Sequence, residues 1–200
     1  MGIIGFYLSL TIRMMLSVPF KVFFHHHWYN TVVTAHALIM IFFLLMPSLI
    51  SAFGNWLIPI FMLEKDMIYP RANNLSFWMF FFGFLLLAIS MFISMGVSSG
   101  WTIYPPLSGK EYHNSKSVDF SIFSLHMAGI ASILGSINFM ITSMIAKKKE
   151  LSEYFFIYIT CMFVTSFLLL VSLPVLAGGI TMLLMDRNFN TSFFNVTTGG

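Results

Sequence analysis

Charge is scarce in this sequence: Asp, Glu, Lys and Arg make up 8% of its 200 residues, against 58% hydrophobic ones. So few polar groups cannot cover the surface of a water-soluble globule, which excludes that class. The net charge of +3 says little of nucleic acid. The basic residues stand at helix ends, where they anchor to head groups, and no stretch carries a nucleic-acid motif. Cysteine is all but missing. Cys161, alone in an apolar run, has no disulfide partner, says nothing of the redox compartment, and reads as a small core residue. MGIIGFYLSLTIR has neither a basic leader nor a small-residue cleavage site, so it reads as part of a helix rather than a removable signal peptide. No internal repeat is visible.

What the chain does have is length between charges. The uncharged intervals run over 22–63, 72–109, 120–146 and 154–185, and each exceeds the roughly 20 apolar residues that carry a helix across a bilayer core. In lipid every backbone group must be paired within the segment, so helices are the default. The expectation is an all-α, multi-spanning transmembrane bundle of five helices, at about 2–17, 30–62, 74–98, 118–146 and 154–185, in a single domain over 1–200. The first is short of a span and the tail FNTSFFNVTTGG carries no cap, which predicts a fragment at both ends. Pro47 and Pro59, and Pro174 followed by Gly178 and Gly179, predict kinks or tilt. Lys65, Arg71, Lys147, Lys148 and Lys149 fall on one face, against Lys21, Lys110, Lys116 and Arg187 opposite, which favours the first face as the inside. Asp186 and Arg187 read as a loop cluster.

TVVTAHALIMIFF, residues 31–43, is hydrocarbon except for one imidazole, His36. An ionisable ring within a span faces the bundle interior and marks a function. Neutral imidazole is the commonest biological metal ligand and, between facing helices, an axial ligand for haem iron. A hydrogen bond to a neighbouring helix is the plainer alternative. Arg13 is open in the same way. It either snorkels to the head groups or donates to a peripheral carbonyl of a haem between the first two helices, where its charge would favour the reduced state.

That block is followed by FGNWLIP (53–59), DMIYPRANNLSFW (66–78), GWTIYPPLSG (100–109), SLHMAGIASILGSINF (124–139) and SLPVLAGGITMLLMDRNFNTSFF (172–194). In this order and spacing the blocks closely resemble the N-terminal part of the cytochrome c oxidase subunit 1 family, the catalytic core of the mitochondrial haem-copper oxidases. The resemblance covers nearly the whole chain. It implies five helices of a larger twelve-helix subunit in the mitochondrial inner membrane. The implied partners are the other oxidase subunits, above all the copper-bearing subunit 2, with cytochrome c as donor and the lipid bilayer around them.

Residue by residue, the resemblance makes His36 an axial ligand of the low-spin haem a and Arg13 the donor to its formyl group. Tyr29 is placed near the same haem edge and Trp101 near the outer rim of the haems, although Trp101 reads equally as an interfacial aromatic. Asp66 becomes the mouth of a proton-uptake route, with Asn55, Asn73, Ser76, Ser132 and Asn138 along it. A carboxylate there collects protons from water while amides and hydroxyls order a water chain inward; a solvated loop aspartate is the alternative. Ala131 departs from the family, which usually has a serine there, and this leaves Ser132 alone. Met14, Met15 and Leu16 replace the family's E-L-G and put its peripheral cation site in doubt. His25, His26 and His27 lack ligand spacing and read as a solvated loop, and His126 matches a family histidine with no ligand role.

The family's copper ligands, the ligand of its second haem and its oxygen-reducing residues lie beyond Gly200, so no catalytic residue is expected here. The implied function is electron transfer from cytochrome c through haem a to oxygen, coupled to proton pumping. Two other readings stay open: a quinol oxidase of the same superfamily, and a haem-free membrane transporter in which His36 and Asp66 relay protons.

Overall fold

The computed structural model describes residues 1–17, 26–94, 96–145 and 153–195. Every regular element among them is helical: α1 (Gly2–Leu16), α2 (His26–Met62), α3 (Pro70–Phe92), α4 (Ser117–Ile145) and α5 (Glu153–Asn188). The expected all-α transmembrane class is what is found. Helices α2 to α5 are long and apolar enough to cross a bilayer, whereas α1, with 15 residues, is not.

The ends of the helices follow local chemistry. Helix α3, expected over 74–98, runs from Pro70 to Phe92. Proline suits a first helical position, where its missing N–H costs nothing and its φ is already helical. At the far end Ile93 turns extended, and Ser94 and Gly96 take positive φ. Helix α2 starts at His26 rather than 30 and ends at Leu63, which adopts a left-handed φ of 55°. Helix α5 continues past 185 to Asn188, so Asp186 and Arg187 are helical rather than loop residues.

Pro47 leaves its mark on α2. On either side of it, Ile39–Leu45 and Pro47–Ala52 are wound as π-helix, and the Met46 N–H pairs with the carbonyl of Ile41. Proline lacks the N–H and its ring crowds the carbonyl one turn back; widening the turn relieves both.

Helix α1 lies antiparallel against α2, with Gly2 beside Leu44 and Gly5 beside Met40 and Ile39. The closest pairing is α3 on α4, followed by α4 on α5. Gly83 permits that approach: a Cβ there would stand 3.1 Å from the Ser124 carbonyl oxygen. One apolar cluster joins Leu8, Ile39, Phe43, Leu87, Ile122 and Leu183, and a second, at the other end, joins Ile58, Met62, Met67, Phe139 and Met162. Only 6% of the most apolar stretch of α5 is buried, so that helix turns most of its hydrocarbon outward. Cys161, expected in the core, is exposed on that outer side.

Candidate functional site

His36 sits half-buried in α2, and its Nδ1 lies 2.9 Å from the carbonyl oxygen of Gly5 in α1. A carbonyl can only accept, so Nδ1 carries the proton and Nε2 holds the free lone pair. Among the described residues nothing hydrogen-bonds Nε2. Gly5 makes the contact possible, because a side chain there would run into the Met40 thioether.

Two other histidines set the contrast. In α4, His126 bonds the Ile122 carbonyl through Nδ1 at 2.8 Å and meets the Thr181 hydroxyl of α5 through Nε2 at 2.9 Å. His113, in the loop 96–116, donates from Nδ1 to the Leu107 carbonyl at 2.9 Å and engages Ser98 through Nε2 at 2.6 Å. Both rings are spent in structural bonds. The His36 ring is oriented by one bond and open at the other nitrogen, which is how a backbone carbonyl prepares an imidazole to ligate a metal.

No three His, Cys, Asp or Glu side chains cluster as a metal cage among the described residues. A lone, oriented imidazole therefore fits a metal that brings its own equatorial ligands, as haem iron does. The donor set and haem a are compatible.

Arg13 occupies the last turn of α1, exposed, and bonds no described residue. It stands eight residues beyond Gly5, about 12 Å along the axis, and Tyr29 stands seven before His36, about 10 Å along α2. Because the helices are antiparallel, both lie toward the same end of the pair. Trp101 follows Gly100, whose N–H donates to the Thr34 hydroxyl of α2. It is 47% exposed and tilts against Phe42 at 6.3 Å, and Phe42 looks toward α4 and α5. His26 and His27 form the first turn of α2 rather than a loop, while His25 lies outside the described residues.

At the opposite end Asp66 is exposed in the α2–α3 loop, where its Oδ1 accepts from the Met67 N–H at 2.7 Å. Asn138 anchors that loop: its Oδ1 accepts from the Tyr69 N–H at 3.1 Å and its Nδ2 donates to the Tyr69 carbonyl at 3.3 Å. Beyond the loop a cleft of about 670 Å³ opens between α2, α3 and α4. Asn55, Asn73, Ser76 and Ser132 all line it, together with Ser48, Ser51 and Ser136, which the sequence reading did not single out. Asn138 is not in its wall. At about 30 Å³ per molecule the cleft has room for a chain of waters.

The sequence reading also missed Arg187. Only 4% exposed, it pairs through Nε with Asp119 at 2.7 Å and donates to the carbonyls of Ser108, His113 and Ser115 at 2.6, 2.8 and 2.7 Å. It is the hub of the 96–116 loop. Two threads tie that loop to α2 near His36: the Gly100 N–H donates to the Thr34 hydroxyl at 3.1 Å, and Gly96 rests against Thr31.

Residues 1–200 match the family described as Cytochrome C and Quinol oxidase polypeptide I. The chain belongs to that oxidase family. It is 52% identical over 204 residues to cytochrome c oxidase subunit 1 of Mytilus edulis, and 43% identical over 202 residues to that of Eremothecium gossypii, with the whole chain covered in both. It spans 36% and 38% of the length of these two relatives. Within this oxidase family member, one signal for Arg187 was available. It is the first cation after an uncharged stretch of α5, and Asp119 stands just before the uncharged stretch of α4, at the same end of the bundle.

Proposed function

We propose that this chain forms the haem a-binding and proton-collecting part of a cytochrome c oxidase of the inner mitochondrial membrane. In this reading the donor is cytochrome c, through a copper-bearing subunit 2, and the second haem and the copper are held by residues beyond Gly200. The observation that carries it is the His36–Gly5 hydrogen bond, which leaves Nε2 as a pre-oriented ligand. Haem a, when bound, would supply a one-electron relay, and His36 is the residue of this chain that would hold its iron.

The residues of this chain do the rest. Gly5 fixes the tautomer and aim of His36, and Arg13 lies on the same helix pair with its donors free for a peripheral carbonyl. Asp66 collects protons from water at the exposed α2–α3 loop, and Asn55, Asn73, Ser76 and Ser132 offer amide and hydroxyl groups to water in the cleft. Asn138 acts on the route by holding the loop that presents Asp66. The names of both relatives favour cytochrome c over quinol as the donor.

The test is His36→Ala in the assembled oxidase. The low-spin haem band should disappear from the reduced spectrum while helical content stays the same. A spectrum unchanged from wild type would refute the assignment and return the chain to a haem-free proton relay.

A further inference from the structure

The missing hydroxyl at Ala131 has a counterpart elsewhere on the same helix. Ala131 and Ser136 both line the cleft between α2, α3 and α4, whose walls are mainly apolar with a few amide and hydroxyl groups. Ser136 is 1% exposed, yet its Oγ has no hydrogen-bond partner. A buried hydroxyl without a partner is costly, and it is accounted for if ordered water from the adjoining cleft fills the vacancy.

Two of the other hydroxyls that line the cleft are already committed. Ser132 Oγ donates to the Ala128 carbonyl at 2.9 Å, and Ser76 Oγ donates to the Asn73 carbonyl at 2.7 Å. Each keeps only its lone pairs for water. A group that passes a proton along a water chain must accept on one side and donate on the other, so a hydroxyl whose hydrogen is tied to its own helix cannot complete the relay. Ser136 retains both functions. It stands one turn from Ser132 on the same face of α4. Across the cleft, Asn55 donates from Nδ2 to the Ser51 carbonyl at 2.7 Å, while its buried Oδ1 accepts from nothing among the described residues. The two unpartnered atoms are thus a hydroxyl on α4 and an acceptor on α2, both on residues that line the same cleft.

We infer that Ser136 is a positioning residue of the proton route: its hydroxyl orders the water chain between Asn55 and Ser132 and supplies the donor that Ala131 lacks. This rests on the proposed proton-collecting role of the cleft.

The experiment measures proton uptake and its solvent isotope effect in the assembled oxidase, with electron entry to the low-spin haem followed in parallel. Asp66→Asn tests the route itself and should suppress uptake. Ser136→Ala should slow uptake about fivefold, the worth of roughly one hydrogen bond, with electron entry unaffected. Ser136→Thr, which keeps the hydroxyl, and the double variant Ala131→Ser with Ser136→Ala, which moves it, should both recover most of the rate. If Asp66→Asn slows uptake but Ser136→Ala does not, the inference about Ser136 fails while the route stands. If Ser136→Ala and Ser136→Thr slow it equally, the residue acts through packing and the inference fails. If Asp66→Asn leaves uptake at the wild-type rate, the route itself is refuted.

Discussion

Replacing Arg187 with alanine would remove the centre of the 96–116 loop. Its guanidinium makes four charge-assisted hydrogen bonds, one to Asp119 and three to backbone carbonyls, at a position 4% exposed. Deleting one partner of a buried ion pair costs about 3 to 5 kcal/mol, largely because the surviving charge is left without a counter-ion. Here Asp119, whose side chain is only 15% exposed, would be that charge. A loss of about 3 kcal/mol corresponds to more than a hundredfold increase in local opening. Hydrogen exchange on the assembled oxidase should therefore show backbone protection across 96–116 falling by about that factor, while α3 and the buried part of α4 keep theirs. Arg187→Lys keeps the charge but loses the planar fork, and should fall between the two. Removing Asp119 together with Arg187 should cost less than the sum of the single changes, because no unpaired charge remains. Wild-type protection in Arg187→Ala, or strict additivity in the double variant, would refute the reasoning.

Other consequences concern the two histidines whose hydrogen bonds define the reading. Gly5→Ala should push α1 away from Met40 and cost about 1 to 3 kcal/mol of packing; a shifted low-spin haem band with unchanged helical content is the expected sign, and an unaltered band would mean that the Gly5 carbonyl does not orient His36. Burial holds the pKa of His113 below its ordinary value of 6.5, the Leu107 hydrogen bond acts the other way, and the charges of His27 and Arg187 add to the lowering. The neutral ring is thus the folded form. Its contribution is complete above pH 6.5 and is lost as pH falls from there through the lowered folded-state value, since the unfolded loop takes up the proton first. Protection of the 96–116 amides, corrected for intrinsic exchange, should decline over that window, and His113→Gln should remove the decline.

The sequence displayed the fold because the bilayer imposes one rule on every span: backbone groups are satisfied internally, and side chains facing lipid must be apolar. Four uncharged intervals were therefore enough to find four spanning helices. The boundaries were less legible, because they depend on single residues such as Pro70, whose ring suits a helix start, and Gly96, whose φ of 74° ends the turn after α3. Arg187 was misplaced for a related reason. At the end of an apolar run a cation looks like an interfacial anchor, and only the three-dimensional fold brings Asp119 to it.

The candidate site divides in the same way, by whether a side chain's partner is itself a side chain. Asn55, Asn73, Ser76 and Ser132 could be grouped from sequence only through the resemblance to the oxidase family, and all four line one cleft. The decisive contact of His36 is with the carbonyl of Gly5, and three of the four contacts of Arg187 are with carbonyls. Every residue carries a carbonyl, so no residue type announces one. The only trace it leaves is permissive: a glycine at position 5, where a larger residue would meet Met40 and keep α1 at a distance. The same reasoning separates His36 from His126, two imidazoles within apolar helices that the sequence told apart only through the family resemblance. His126 has an acceptor one turn back in its own helix and the Thr181 hydroxyl on α5 to occupy its two nitrogens, whereas His36 finds one carbonyl across a glycine and keeps its second nitrogen free. That free nitrogen, rather than the presence of a histidine in the membrane, is what supports the proposal of position 36 as a ligand.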